Sequence, residues 1–432
     1  MSLRLIQIAE HRIGPHFAQL ARGLGSYGSA EVATRLVRLL TTVVIARSLA
    51  PAIVGEAALA LTVFELVRVL ERIGTGQQIV QAQPEELAAT CNSVQRFYTA
   101  WAAALMILQM LVAALLAAVF HRPTAAAMLA VLTLVYPFMA GGHVQFYIAM
   151  RAGLVTRLAR IGASQSIADQ ILTAALLLIW PSPWSIVLPK LLTAPLWLVL
   201  ARRAAPWRPD PAAGRIPAAR MLRFAGPIML ADGMSALRTQ GDNLIIAALL
   251  GTSALGTYYF AFNAGVGIVS SLVTAFGTVA FPMLCAAQVG AARIAMLRRI
   301  ALGGAAVFVP IVALQALAAP FYVPLVFGAH WAFAAPLIAL LCLAGIPLLI
   351  AQITGCWLRA QGQVGTDAAN STLTCVLALG GLSLGAHAGE LKFAVVGLIA
   401  GQTLGALWNG SRVLLPALGL FRIHVFPKES RS

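Results

Sequence analysis

The sequence predicts an all-α polytopic membrane protein: about twelve transmembrane helices, in two parallel-repeat lobes of six around a central polar cavity. Three observations lead there. Hydrophobic residues make up 60% of the 432-residue chain and charged residues 10%, with a mean hydropathy of +0.86. Soluble chains carry roughly a quarter charged residues, so this one cannot cover itself with a water-compatible surface, and a soluble enzyme is excluded. Apolar runs of about 20 residues, enough to span a bilayer as a helix, recur between Pro, Gly and Arg clusters. Those runs lack the lumen–lipid alternation of barrel strands, which excludes an outer-membrane barrel.

In chain order, residues 1–24 spread Arg4, Arg12 and Arg22 among Leu5, Ile8, Ile13, Phe17 and Leu20. That is the pattern of an amphipathic interfacial helix rather than a signal peptide. Spans are expected near 25–49, 53–80, 95–120, 124–149, 161–181, 183–201, 222–250, 254–284, 298–320, 332–358, 367–388 and 392–418. The basic residues then sort by side. One side takes Arg96, Arg151, Arg157, Arg160, the cluster from Arg202 to Arg223, Arg293, Arg298, Arg299, Arg359, Arg412 and both termini. The other takes only Arg47, Arg122, Lys190 and Lys392. Excess Lys and Arg in short loops marks the cytoplasmic side, so both termini are expected there. The net charge of +16 is thus a matter of topology and does not imply a nucleic-acid partner.

The Pro/Arg-rich stretch 202–221 divides a six-helix lobe at 25–201 from a second at 222–418, with a cytoplasmic tail at 419–432. An internal repeat supports this division. IARSLAPAIVGEAALA (45–60) aligns without gaps on IAALLGTSALGTYYFA (246–261), a shift of 201 residues that also lays Glu31 on Asp232. A weaker echo pairs MRAG (150–153) with LRAQG (358–362). Because six is even, matching helices run in the same direction, which makes the repeat parallel and puts the substrate path between the lobes.

Charges inside the spans are the most informative positions, since each costs roughly 2.5–3.5 kcal/mol near the bilayer centre unless a cavity or partner receives it. Glu31, Arg35 and Arg38 share one face of the first span, and Glu65, Arg68 and Arg72 one face of the second. The seventh holds Asp232, Arg238 and Asp242, and the fifth holds Asp169 near Ser164, Gln165 and Ser166. Guanidinium groups bind phosphate oxygens bidentately, so Arg35, Arg38, Arg68, Arg72 and Arg238 are candidates for an anion-accepting cavity. The competing reading makes Glu31–Arg35, Glu65–Arg68 and Arg238–Asp242 intrahelical ion pairs that only make the charges tolerable. Among the acids Glu31, Glu65, Asp169, Asp232 and Asp242, the last has Arg238 one turn away and is expected to act structurally. Asp169 has no basic partner on its own helix. It is either a proton or cation coupling site or a packing residue bonded to hydroxyls.

No catalytic constellation is present. The histidines, among them His121, His143 and His330, have no metal-ligand spacing, and GxGxxG and GxxxxGK[ST] are absent. Cys91, Cys285, Cys342, Cys356 and Cys375 share no ligand spacing and read as small apolar helix residues. No metal, cofactor or enzymatic activity is expected.

ARSLAPAIVGEAALALTVFEL (46–66), GDNLIIAALLGTSALGTYYFAFNA (241–264) and VFGAHWAFAAPLIALLCLAG (326–345), followed by LRAQG, carry a family resemblance. The chain resembles the Wzx-type oligosaccharide flippases, the polysaccharide-transporter branch of the MOP superfamily. Asp242 with Leu250, Gly256 and Tyr258 matches one family pattern, and Phe327, Gly328 and Trp331 match another. The resemblance implies movement of undecaprenyl-diphosphate-linked oligosaccharide repeat units from the cytoplasmic to the periplasmic leaflet of a bacterial inner membrane, for exopolysaccharide, O-antigen or capsule synthesis. It implies membrane lipid, a polysaccharide polymerase and a chain-length regulator as partners, with a monomer as the expected state. The superfamily's drug antiporters also have twelve helices, so a cation-coupled small-molecule antiporter is the alternative; its acid- and aromatic-lined lumen differs from the arginine-bearing first lobe here. The lipid II flippase branch has two extra helices, for which this chain lacks room.

Overall fold

The computed structural model describes residue 34 and residues 37–71, 74–214 and 216–417. Among the described residues every regular element is helical, and ten helices, some interrupted, are long and apolar enough to cross a membrane. Of the twelve expected spans, the first begins in residues outside that description, and the second carries Glu56, Glu65 and Arg68 within its length. The expected interfacial helix at 1–24 and the tail at 419–432 also lie outside it. Contacts divide the chain into two units, up to Leu244 and from Ile245.

The first unit contains α1 (37–48), α2 (Pro51–Val69), α3 (Thr75–Gln81), α4 (Leu87–Ala118), α5 (Pro123–Leu132), α6 (Val135–Arg151), α7 (Val155–Ile179) and α8 (Trp184–Ala204). Ala50 is extended (φ −74°, ψ 155°), and Pro51, with no N–H to leave unpaired, starts α2. Buried Ala57, Ala58 and Ala60 keep α2 slim, and it packs on α5. Helices α5 and α6 are halves of one crossing, interrupted at Thr133–Leu134, and α8 lies against α6 and α7. The Thr41 hydroxyl donates to the Gln170 carbonyl at 3.1 Å and so ties α1 to α7.

Helix α9 (Ala218–Ala264) begins in the first unit and ends in the second, interrupted at Gly251. The second unit continues with α10 (Val266–Ala286), α11 (Ala291–Tyr322), α12 (Ala335–Leu343), α13 (Gly345–Ala360), α14 (Val364–Ala386) and α15 (Leu391–Ala417). Gly251 has φ 83° and ψ 175°, a conformation essentially reserved for glycine. The 201-residue shift lays Ala50 on Gly251, so the chain leaves the helix at the same point of both copies. Val54 and Leu255, Ala57 and Tyr258, and Ala60 and Ala261 are buried at equivalent places. The weaker echo gains support too. Gly153 (φ 70°) and Gly362 (φ 75°) end MRAG and LRAQG in the same left-handed turn, and the crossing before each is interrupted, at Thr133–Leu134 and at Ala344.

Two features close the second unit. Along α14 and α15 a Cβ on Gly381 would lie 2.2 Å from the Gly397 carbonyl oxygen, and one on Gly401 2.0 Å from that of Leu377. Glycines spaced by four thus let two backbones touch, as membrane helices do when packing replaces the hydrophobic effect. The Phe-Gly-x-x-Trp motif forms an aromatic plug. Trp331 is fully buried 3.9 Å from the Phe260 ring, Phe327 meets Phe260 edge-on at 5.0 Å, and Gly328 turns the chain at φ 105°.

Candidate functional site

The first unit holds a cavity of about 710 Å³, within the range of small-molecule sites. Helical periodicity assembles it, one face per helix. Phe64, Glu65 and Arg68 come from α2, with Glu71 just beyond its end; Arg38 comes from α1 and Tyr98 from α4. Helix α6 presents His143, Phe146 and Tyr147, and α7 presents Gln165, Ser166, Asp169 and Gln170. Helix α8 adds Lys190, Thr193 and Trp197 from a stretch where Pro189 and Pro195 each remove a backbone donor from the helix ladder.

Among the described residues the charges are balanced: Arg38, Arg68 and Lys190 face Glu65, Glu71 and Asp169. Arg68 Nη1 lies 3.1 Å from Glu65 Oε1 and its Nε 3.8 Å from Glu71 Oε2. The Tyr98 hydroxyl donates to Glu71 Oε1, and the Trp101 indole donates to the Leu70 carbonyl at 2.8 Å, which fixes the end of α2. His143 stacks on Tyr98 at 3.5 Å and hydrogen-bonds to Thr75 Oγ1 at 3.3 Å. Phe146 stacks on Trp197 at 5.9 Å. Opposite these rings, Asp169 Oδ2 meets Lys190 Nζ at 3.6 Å, while Asp169 Oδ1 is buried without a hydrogen-bond partner. Aromatic faces beside carboxylates, amides and hydroxyls can stack on the apolar side of a sugar ring and bond its edge.

Of the residues singled out in the sequence, Arg38, Arg68, Glu65 and Asp169 come together here. Glu65–Arg68 is an intrahelical pair. Asp169 lacks a basic partner on α7 but receives Lys190 from α8, a residue that the sorting of charges had only grouped with the few basic residues of the other side. Glu31, Arg35 and Arg72 lie outside the described residues. Asp232 and Arg238 fall on α9, with side chains outside that description. Asp242 also stands on α9, where its Oδ1 accepts from the Asn243 N–H at 2.8 Å, and it does not line this cavity. Charge alone misses Tyr98, His143, Lys190 and Trp197. A signal for them exists in spacing: Lys190, Thr193 and Trp197 at i, i+3 and i+7, and His143, Phe146 and Tyr147 at i, i+3 and i+4, each fall on one helical face. Among the described residues no group of three His, Cys, Asp or Glu side chains is placed to hold a metal ion.

Membrane-length helices around a polar, ion-paired cavity define a multi-pass membrane protein. Solved structures agree. A lipid II flippase MurJ in an inward-closed conformation matches with a TM-score of 0.69 at 14% identity, over 91% of this chain and 90% of that one. An inward-facing multidrug-resistance MATE transporter of the MOP superfamily matches at 0.59 and 13%, over 89% and 95%. A MOP superfamily transporter from Pyrococcus furiosus, described as having a binding pocket of reversed polarity, matches at 0.58 and 14%, over 93% and 96%. No curated protein matches in sequence. The chain belongs to the polysaccharide biosynthesis protein family, whose model matches residues 44–336.

Proposed function

We propose that this protein flips undecaprenyl-diphosphate-linked oligosaccharide repeat units from the cytoplasmic to the periplasmic leaflet of a bacterial inner membrane. The observation that carries the reading is the first-unit cavity: aromatic rings next to balanced, hydrogen-bonding charges, inside helices that are otherwise apolar. A lipid-linked glycan needs such a compartment for its sugars while its polyprenyl chain stays in the bilayer. Asp169, Gln165 and Lys190 would bond sugar hydroxyls, Trp197 and Phe146 would stack on a ring, and Arg38 and Arg68, with Arg35, Arg72 and Arg238, would receive diphosphate or acidic sugars. Rocking of the two lobes, residues 25–201 and 222–418, would expose the compartment to each side in turn. Both termini would be cytoplasmic, with a polymerase and a chain-length regulator acting on the product.

Two measurements test this. Cells lacking the protein should accumulate the lipid-linked repeat unit and lose the surface polysaccharide. Trp197→Ala and Asp169→Asn should fail to restore export at normal protein levels; restoration by both would refute the assignment of this cavity. A cation-coupled small-molecule antiporter is the second reading, favoured by three acids beside five Phe, Tyr and Trp rings in one cavity. Cation-gradient-driven efflux of a cationic dye from vesicles, lost in Asp169→Asn, would select it.

A further inference from the structure

A second cavity, of about 770 Å³, lies at the end of the first unit and is lined by Gln95, Gly141, Gln145, Arg202, Trp207 and Arg208, with Pro206 and Pro209. It is roofed by the Pro/Arg-rich stretch after α8, which is fastened across the ends of α4 and α6. Asn92 and Asp210 exchange hydrogen bonds, Nδ2 to carbonyl at 2.6 Å and N–H to Oδ1 at 3.2 Å, and the Ile216 N–H donates to Ser93 Oγ at 2.8 Å. Trp207 packs on the buried cluster of Ile79, Cys91, Val94 and Val144. A roof held this way is a wall of a site.

Three features of that site select a ligand. Arg202 donates from Nε to the Gly141 carbonyl at 3.0 Å, which points its guanidinium across a residue whose missing side chain leaves room: a Cβ on Gly141 would sit 3.2 Å from Arg202 Nη2. Arg208 is exposed on the roof. Gln145 is 6% exposed, and its Oε1, an acceptor, is buried with no hydrogen-bond partner. A buried acceptor without a donor costs about 1–3 kcal/mol, so a turn of this cavity-lining side chain that presents the oxygen to a ligand donor would be favoured. Two guanidinium groups call for a phosphoryl anion, and the orphaned amide oxygen calls for a hydroxyl next to it.

We propose that this cavity binds a phosphate ester that carries a free hydroxyl. The same end of the unit holds Arg151, Arg157 and Arg203, and Trp with Arg is the pairing that anchors at a membrane interface. Two sources share this chemistry: the headgroup of an anionic lipid such as phosphatidylglycerol, and a soluble glycerol phosphate.

The test uses the purified full-length protein in detergent, titrated with phosphatidylglycerol, phosphatidylcholine, phosphatidic acid or sn-glycerol 1-phosphate, with binding read by native mass spectrometry and thermal shift. Phosphatidylglycerol is expected to bind at least about tenfold more tightly than phosphatidylcholine, and Arg208→Gln, whose side chain is on the surface, should remove about tenfold of that. Gln145→Leu should abolish the preference for phosphatidylglycerol over phosphatidic acid. Competition by sn-glycerol 1-phosphate would identify the headgroup alone as sufficient; binding of the lipid without such competition would identify the lipid as the source. Equal binding of phosphatidylglycerol and phosphatidylcholine, or an unchanged affinity in Arg208→Gln, overturns the proposal. Asp169→Asn should bind phosphatidylglycerol like wild type, so a failure of the flippase reading and a failure of this one are separate outcomes.

Discussion

The two units repeat one backbone plan and use it in opposite ways. In the first, six helices of the described structure turn polar and aromatic faces toward one another and leave a cavity between them. In the second, α14 and α15 close until glycine backbones touch. Its described charges stand toward helix ends: Arg293, Arg298 and Arg299 early in α11, Arg359 in the last turn of α13 beside Asp367 of α14 at 3.4 Å, and Arg412 late in α15 over the Trp408 ring. The lesson is that side-chain volume at the interior face decides between a cavity and a seam. Where α6 to α8 place Trp197, Tyr147 and Lys190, helices are held apart; where α14 and α15 place glycine every fourth residue, they are not.

The largest expected effect would break that contrast. Gly401→Ala sets a Cβ 2.0 Å from a backbone oxygen that cannot step aside, and should destabilise the protein by about 3 kcal/mol or more. Gly380→Ala, with nothing within 4 Å, should be neutral or stabilise by up to about 1 kcal/mol through helix propensity. Thermal melting in detergent checks both, and equal losses would mean the seam is not the tight contact described.

A smaller effect tests the repeat. Gly251→Ala should cost about 1–3 kcal/mol because its φ of 83° strains any side chain, whereas Ala50→Gly, at an ordinary extended residue, should cost a few tenths. If Gly251→Ala melts like wild type, the second copy tolerates a different turn from the one described. The smallest effect sharpens the cavity. Lys190→Gln leaves Asp169 partly buried without its cation and should lower stability by about 1 kcal/mol, and adding Asp169→Asn should restore part of the loss. Additive losses in that double-mutant cycle would show that the 3.6 Å pair does not couple.

How the site could be read in advance depended on the residue. Arg38, Glu65, Arg68 and Asp169 were legible because a charge within an apolar span is conspicuous against its surroundings. Tyr98, His143 and Trp197 were not, because an aromatic residue in such a span is ordinary until a neighbouring helix supplies its partner. Lys190 shows the same limit: its helix was legible, its pairing with Asp169 on another helix was not.

Composition and apolar run length determine by themselves that the chain is a bundle of membrane helices, because backbone polar groups in a bilayer must be satisfied within each segment. The sequence also sets where helices break, at Ala50 before Pro51 and at Gly251, since those limits are local properties of φ and ψ. Tertiary structure alone decided that Asp169 is paired with Lys190 and that the Pro/Arg stretch is a fastened roof rather than a free linker. Each of these depends on the distance between groups far apart in the chain, and that distance is set by how closely neighbouring helices can pack.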